Sequence, residues 1–257
     1  MTLYSYGSHP LQTIKVYHHN ASNKKTIVFI HGGAWRDPAN TFDDFDTMTS
    51  YIKGKQDINM IGINYRLSPE IKHPYHLIDV VDALNYILDH FDSGEILLVG
   101  HSVGATLVLQ LLNYKALVEI GFRYDKKNDV KVDLSRINVS SIFLLDGIYD
   151  NVELVKEYGS GYEEFVANAF VSKEQYAEAT QLSSKILTWD TPFELLPSKF
   201  IITQSLQDEL LSMKQTELLV DYFKHRRTEY QLFTGNWGLH EEMYRREEVA
   251  DLIIANV

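Results

Sequence analysis

Short runs of apolar, often β-branched residues recur along the chain, separated by longer stretches in which apolar residues return every three or four positions. The first pattern is that of strands buried in a sheet and the second that of helices laid against it. The short runs predict strands over residues 12–17, 26–30, 59–63, 95–99, 140–145, 199–203 and 229–233. Helices are predicted near 42–52, 77–90, 103–112, 210–225 and 241–254. Alternation of this kind predicts an α/β fold, with a mostly parallel central sheet flanked by helices on both faces. Residues 12–17 alternate apolar and polar side chains, which places that strand at an edge.

No internal repeat or low-complexity tract interrupts the pattern, and the six prolines sit mostly in connections, so residues 1–257 read as a single domain. Two stretches break the rhythm. One is 113–136, with a polar run at 125–129. The other is 151–197, a helical excursion between two late strands that would serve either as a cap over a binding site or as ordinary cover for the sheet.

Composition narrows the function. With 45% apolar and 12% aromatic residues the chain can bury one large core. Lys and Arg total 24 against 35 Asp and Glu, a net charge of −11 that disfavours nucleic acid and anionic membrane surfaces as partners. The absence of cysteine excludes disulfides, a thiolate nucleophile and cysteine-based metal sites. Residues 1–10 show neither the basic nor the apolar region of a secretory signal, and the apolar stretch 96–112 is broken by His101, Ser102, Thr106 and Gln110. The expectation from these features is a cytoplasmic protein, with a homodimer left open.

Gly100-His101-Ser102-Val103-Gly104 fits Gly-x-Ser-x-Gly between a predicted strand and a predicted helix. There a serine occupies a strained turn, and glycines allow close backbone approach. A serine hydroxyl is a weak nucleophile, so it needs a histidine base and a carboxylate that fixes the imidazole tautomer, in the chain order Ser, acid, His. Asp208 follows the strand at 199–203, and His240 ends the glycine-containing loop after the strand at 229–233. Glu209 is the adjacent rival for the acid, and Asp146 and Asp150 are further carboxylates for which capping or loop hydrogen bonding is the simpler role. His225 falls near a helix end, where a solvated cation is favoured. His101 should point away from the serine. His31-Gly32-Gly33-Ala34-Trp35 follows an earlier strand, where backbone N–H groups of Gly33 and Ala34, or of Gly32, could join that of Val103 in an oxyanion hole.

Metal and cofactor chemistry find no motif. His240-Glu241-Glu242-Met243-Tyr244 lacks a second histidine, His73-Pro74-Tyr75-His76 is interrupted by proline, and neither a dinucleotide fingerprint nor a phosphate loop occurs.

These blocks resemble the α/β-hydrolase superfamily from about residue 26 onward. Asn64-Tyr65-Arg66-Leu67-Ser68-Pro69-Glu70 is similar to a segment of the hormone-sensitive-lipase-like esterases, although Ala34-Trp35 replaces the usual third glycine. His-Gly-Gly-x-Trp, with Leu144-Leu145-Asp146-Gly147-Ile148-Tyr149, Asp208-Glu209-Leu210-Leu211 and Gly238-Leu239-His240, resembles the fungal kynurenine formamidases. The resemblance implies hydrolysis of N-formyl-L-kynurenine to L-kynurenine and formate, in tryptophan breakdown toward NAD synthesis, with no cofactor. It carries Ser102, Asp208 and His240 over as the triad. For the substrate pocket the expected lining includes Trp35, Tyr149 and Trp237, with Tyr158, Tyr162 and Phe165 as further aromatics and Arg36 or Arg66 for the amino-acid carboxylate. The rival functions are a short-chain carboxylesterase and a non-catalytic binding protein of the same fold.

Overall fold

The structure, a computed structural model, describes residues 2–125, 130, 132–180, 182 and 192–257. Its strands are β1 (Thr2–Ser5), β2 (Thr13–His18), β3 (Lys25–Ile30), β4 (Asn59–Ile63), β5 (Glu95–His101), β6 (Val139–Leu145), β7 (Lys199–Ser205) and β8 (Gln231–Gly235). They form one sheet in the order β1-β2-β4-β3-β5-β6-β7-β8. Pairing is antiparallel from β1 through β2 to β4 and parallel across the rest. The helices are α1 (Asp46–Lys55), α2 (Tyr75–His90), α3 (Val103–Leu111), α4 (Tyr114–Asp125), α5 (Asn151–Tyr158), α6 (Ser160–Ala169), α7 (Lys173–Ala179), α8 (Met213–Arg226) and α9 (Glu247–Ala255).

The two-residue period of the strands builds both layers. Along β3, Val28 and Ile30 face one core together with Leu77, Leu84 and Val108 from α2 and α3. Ile27 and Phe29 face the other, with Met48 and Ile52 of α1 and Ala250 and Ile253 of α9. Strand β5 repeats this, Ile96 and Leu98 going one way and Leu97 and Val99 the other. Strands buried on both sides carry apolar residues at every position, which is why these runs read as continuous in the sequence. A third cluster joins Trp35, Val103, Ile148, Leu154, Phe165, Val166, Phe170 and Leu211, seating α5–α7 against the first turn of α3 and the loop after β7.

Several boundaries differ from expectation for identifiable reasons. Strand β2 is not the edge, because β1, four exposed residues that pattern alone does not single out, pairs outside it. Strand β8 begins two residues later than predicted, since α8 runs to Arg226 and closes through Arg227 at φ +56°. Helix α8 starts at Met213 because the Ser212 hydroxyl accepts from Lys214 N–H at 3.2 Å. The predicted helix at 42–52 splits into a 3₁₀ turn, Phe42–Phe45, and α1. The last helix likewise follows a 3₁₀ turn, Met243–Arg245. Most of 113–125 is α4, whereas positions 126–129 of the polar run lie outside the described residues, as do 181 and 183–191 of the 151–197 excursion. Among the described residues no single helix is long and apolar enough to cross a membrane. The apolar stretch 96–112 is instead divided among β5, a turn and α3.

Candidate active site

Strand β5 ends at His101 and α3 begins at Val103, leaving Ser102 alone in the turn at φ +54° and ψ −121°. A non-glycine residue in this region is strained, and such strain persists only where its surroundings fix it. Here Ser102 N–H donates to Leu145 O at 2.9 Å. A Cβ on Gly104 would stand 2.1 Å from Ile30 O, and one on Gly100 2.4 Å from Gly104 O, so the two flanking glycines let α3 pass directly against β3 and β5.

Asp208 lies just past β7. Its Oδ1 accepts the N–H groups of Leu210 and Leu211, each at 2.8 Å, and its Oδ2 lies 2.7 Å from His240 Nδ1 and 3.2 Å from Gln204 Nε2. Its side chain is fully buried. Burial alone would push the Asp208 carboxyl up, but the hydrogen bond and charge of His240, with the two backbone N–H groups, outweigh it and hold the group below the usual carboxylate range. With Nδ1 engaged by the carboxylate, His240 keeps Nε2 as the nitrogen that can exchange a proton.

The other titratable candidates fall elsewhere. Glu209 Oε2 accepts the backbone N–H of His240 at 2.8 Å and so steadies the loop rather than the ring. Asp150 caps α5, accepting from Val152 and Glu153 N–H at 3.0 Å each. His225 donates to Asp221 O at 2.7 Å on an exposed turn of α8. His101, fully buried, donates from Nε2 to His240 O at 3.1 Å, with its ring 4.6 Å from that of His240 and 4.6 Å from Tyr244. Burial and the neighbouring His240 push its pKa well below the ordinary value, so it remains a neutral support under the histidine loop. Asp146, at φ +40° just past β6, is fully buried beside Asp208. Burial first, and the Asp208 charge second, push its carboxyl far up.

A cavity of ≈ 260 Å³ is lined by Gly33, Ala34, Arg36, Asp37, Asn40, Ser102, Ile148, Tyr162, Phe165, Leu210, Leu211, His240 and Glu241. Ser102, His240, Gly33 and Ala34 therefore line the same cavity. Gly33 and Ala34 take φ +88° and +49°, a left-handed backbone that is uncommon for a residue such as Ala34. Val103, first residue of α3, has no intrahelical acceptor for its own N–H. Gly32 is not among the lining residues; a Cβ there would meet Ser102 Cβ and His101 Nδ1 at 3.0 Å, and its carbonyl accepts from Tyr65 O–H at 3.1 Å.

The expected aromatic lining needs correction. Trp35 is turned into the core by its own left-handed φ of +59° and packs on Phe165 and Phe170. Tyr149 is buried beside Gln215, which takes its N–H at 2.8 Å. Trp237 is half-buried against the α1–α9 layer. None of the three reaches the cavity; Tyr162 and Phe165 do. Arg66 is also excluded, because it forms a multiple contact with buried Asp79, the shortest at 2.6 Å. Arg36 stands on the wall, paired with Glu164 at 3.0 Å. Asn40 and Glu241, joined at 3.1 Å, complete the polar side. Neither carries a motif that would have marked it in the sequence.

The pattern of the BD-FAE family matches residues 14–223. The chain is 42% identical to a protein named kynurenine formamidase from Debaryomyces hansenii, over 98% of each chain. A kynurenine formamidase from Meyerozyma guilliermondii is 44% identical over 98% of this chain and 91% of its own, and one from Saccharomyces cerevisiae is 32% identical over 92% and 90%. Among solved structures, esterase B from a Lactobacillus superposes with a TM-score of 0.73 at 17% identity, over all of this chain and 82% of that one. That likeness establishes the α/β-hydrolase type of fold.

Proposed function

The chain belongs to the BD-FAE family and to the fungal kynurenine formamidases, and from this we propose that it hydrolyses N-formyl-L-kynurenine to L-kynurenine and formate by a serine mechanism. The observation that carries the mechanism is the 2.7 Å contact between His240 Nδ1 and buried Asp208, directed onto the cavity that holds Ser102. His240 Nε2 takes the Ser102 proton as Oγ attacks the formyl carbon. The N–H groups of Gly33, Ala34 and Val103 receive the negative charge that develops on the formyl oxygen. The C–N bond then breaks, and His240 returns its proton to the leaving aniline nitrogen. Water, giving a proton to the same imidazole, attacks the carbonyl carbon of the formyl-serine; the C–Oγ bond breaks, the imidazolium returns its proton to Ser102 Oγ, and formic acid leaves and ionises to formate.

Tyr162 and Phe165 are suited to the aromatic ring of the leaving group, and Arg36 to its carboxylate. The reading takes residues 1–257 as one hydrolase domain with 151–197 as its cap. It assigns the work to the cytoplasm, which suits a chain without cysteine. The test is kynurenine release by purified protein beside Ser102→Ala. Turnover that disappears in the variant supports both substrate and nucleophile. Hydrolysis of p-nitrophenyl butyrate without kynurenine release would leave the serine mechanism and transfer the function to a carboxylesterase.

A further inference from the structure

Asp146 is a second buried carboxyl for which the mechanism above has no use. It is fully shielded from solvent, and one of its carboxyl oxygens, one of Asp208 and a ring nitrogen of His240 all lie within 4.8 Å of one another. Its Oδ1 accepts Ser205 N–H at 2.7 Å, whereas Oδ2, equally buried, finds no donor among the described residues. An ionised Asp146 would thus leave one oxygen unpaired in the core while facing a second carboxylate, two costs that protonation removes together. The groups that face it are Asp208 and, further off, Glu209 from the loop after β7, together with Tyr149 from the loop after β6 and His240 from the last loop. Arg and Lys are absent from this set.

We propose that Asp146 is a positioning residue for the reaction, a neutral carboxylic acid that donates a hydrogen bond to the Asp208 carboxylate and holds it against His240. The pair then carries a single negative charge, kept on Asp208, where it orients the imidazole and stabilises the imidazolium formed during attack. Two adjacent carboxyls sharing one proton is the general solution when both cannot ionise. The inference rests on the reading of Ser102, Asp208 and His240 as the reacting groups, but not on the identity of the substrate.

The test uses the full chain with Asp146→Asn and Asp146→Ala, each with its thermal midpoint measured. Asn tolerates the left-handed backbone and can offer an N–H to Asp208 while still accepting from Ser205. In the infrared difference between wild type and Asp146→Asn at neutral pH, the band lost is expected to be that of a protonated carboxyl. Loss of a carboxylate band overturns the proposal. Labelling of Ser102 by a neutral fluorophosphonate supplies the second arm. Asp146→Asn is expected to stay within roughly threefold of wild type and Asp146→Ala to slow by about tenfold or more, the loss of one buried hydrogen bond. Equal slowing of both variants, or of neither, overturns it as well. Failure to release kynurenine with this labelling pattern intact would remove the substrate assignment and leave the pair standing.

Discussion

A methyl group at Gly104 would meet Ile30 O at 2.1 Å and His31 O at 2.6 Å, both backbone atoms that cannot move aside. Gly104→Ala is therefore expected to cost about 3 kcal/mol or more of stability, seen as a lowered thermal midpoint. Asp208→Asn acts differently, because it keeps the shape and removes the charge that fixes the His240 tautomer. By analogy with other serine triads kcat should fall by about 10⁴ with KM little changed, measured in steady state. These residues were legible in the sequence because their chemistry demands a chain order and a strand-turn-helix context. Trp35 was not. A residue two positions past a glycine pair can face either way, and only the run of positive φ at Gly33, Ala34 and Trp35 decides that it enters the core. Asp146 was equally opaque, since an aspartate after a strand looks the same whether it caps a turn or lies buried beside another carboxyl.

At the scale of elements, the part of the cavity lined by Tyr162, Phe165, Leu210 and Leu211 depends on how α5 and α6 are tied to the loop that carries Asp208. Tyr162 O–H donates to Leu210 O at 2.6 Å, and Ser212 N–H donates to Tyr158 O–H at 2.7 Å, with the two rings stacked 4.3 Å apart. Replacing both tyrosines by Phe keeps the stack and cuts both ties. The expected result is a KM raised by roughly threefold to tenfold with kcat nearly retained, since two hydrogen bonds that shape the binding wall are lost while the reacting groups stay in place. A kcat that falls with KM unchanged would show instead that these ties position Asp208. The central strands and their helices were readable because burial on one or two faces imposes a period. The edges were less so: β1 escaped the pattern and β8 was placed two residues early, because both strands are largely exposed and bury few side chains to impose a period.

Across the whole molecule, the buried ionisable groups set how folding responds to acid. Burial lowers His31 and His73 to about 4 and His76 to about 3, and carries His101 well below its ordinary value. Each therefore contributes stability that is complete above the unfolded histidine range of about 6.5 and is lost as pH falls toward the folded value. Asp146 has the opposite sign. Its folded pKa is raised, so its contribution is intact below the ordinary aspartate range and declines as pH rises from there. At about pH 5, unfolding should accordingly take up protons at the four histidines while releasing close to one from Asp146. In Asp146→Asn that release is absent, so net uptake should increase by about one proton. The quantity follows from unfolding enthalpies compared in buffers of different ionisation enthalpy. An unchanged uptake would mean that Asp146 is already ionised in the folded protein, and the charge behind His240 would then have to be counted as two. An increase would locate in the core the same proton that the site uses to keep its charge single.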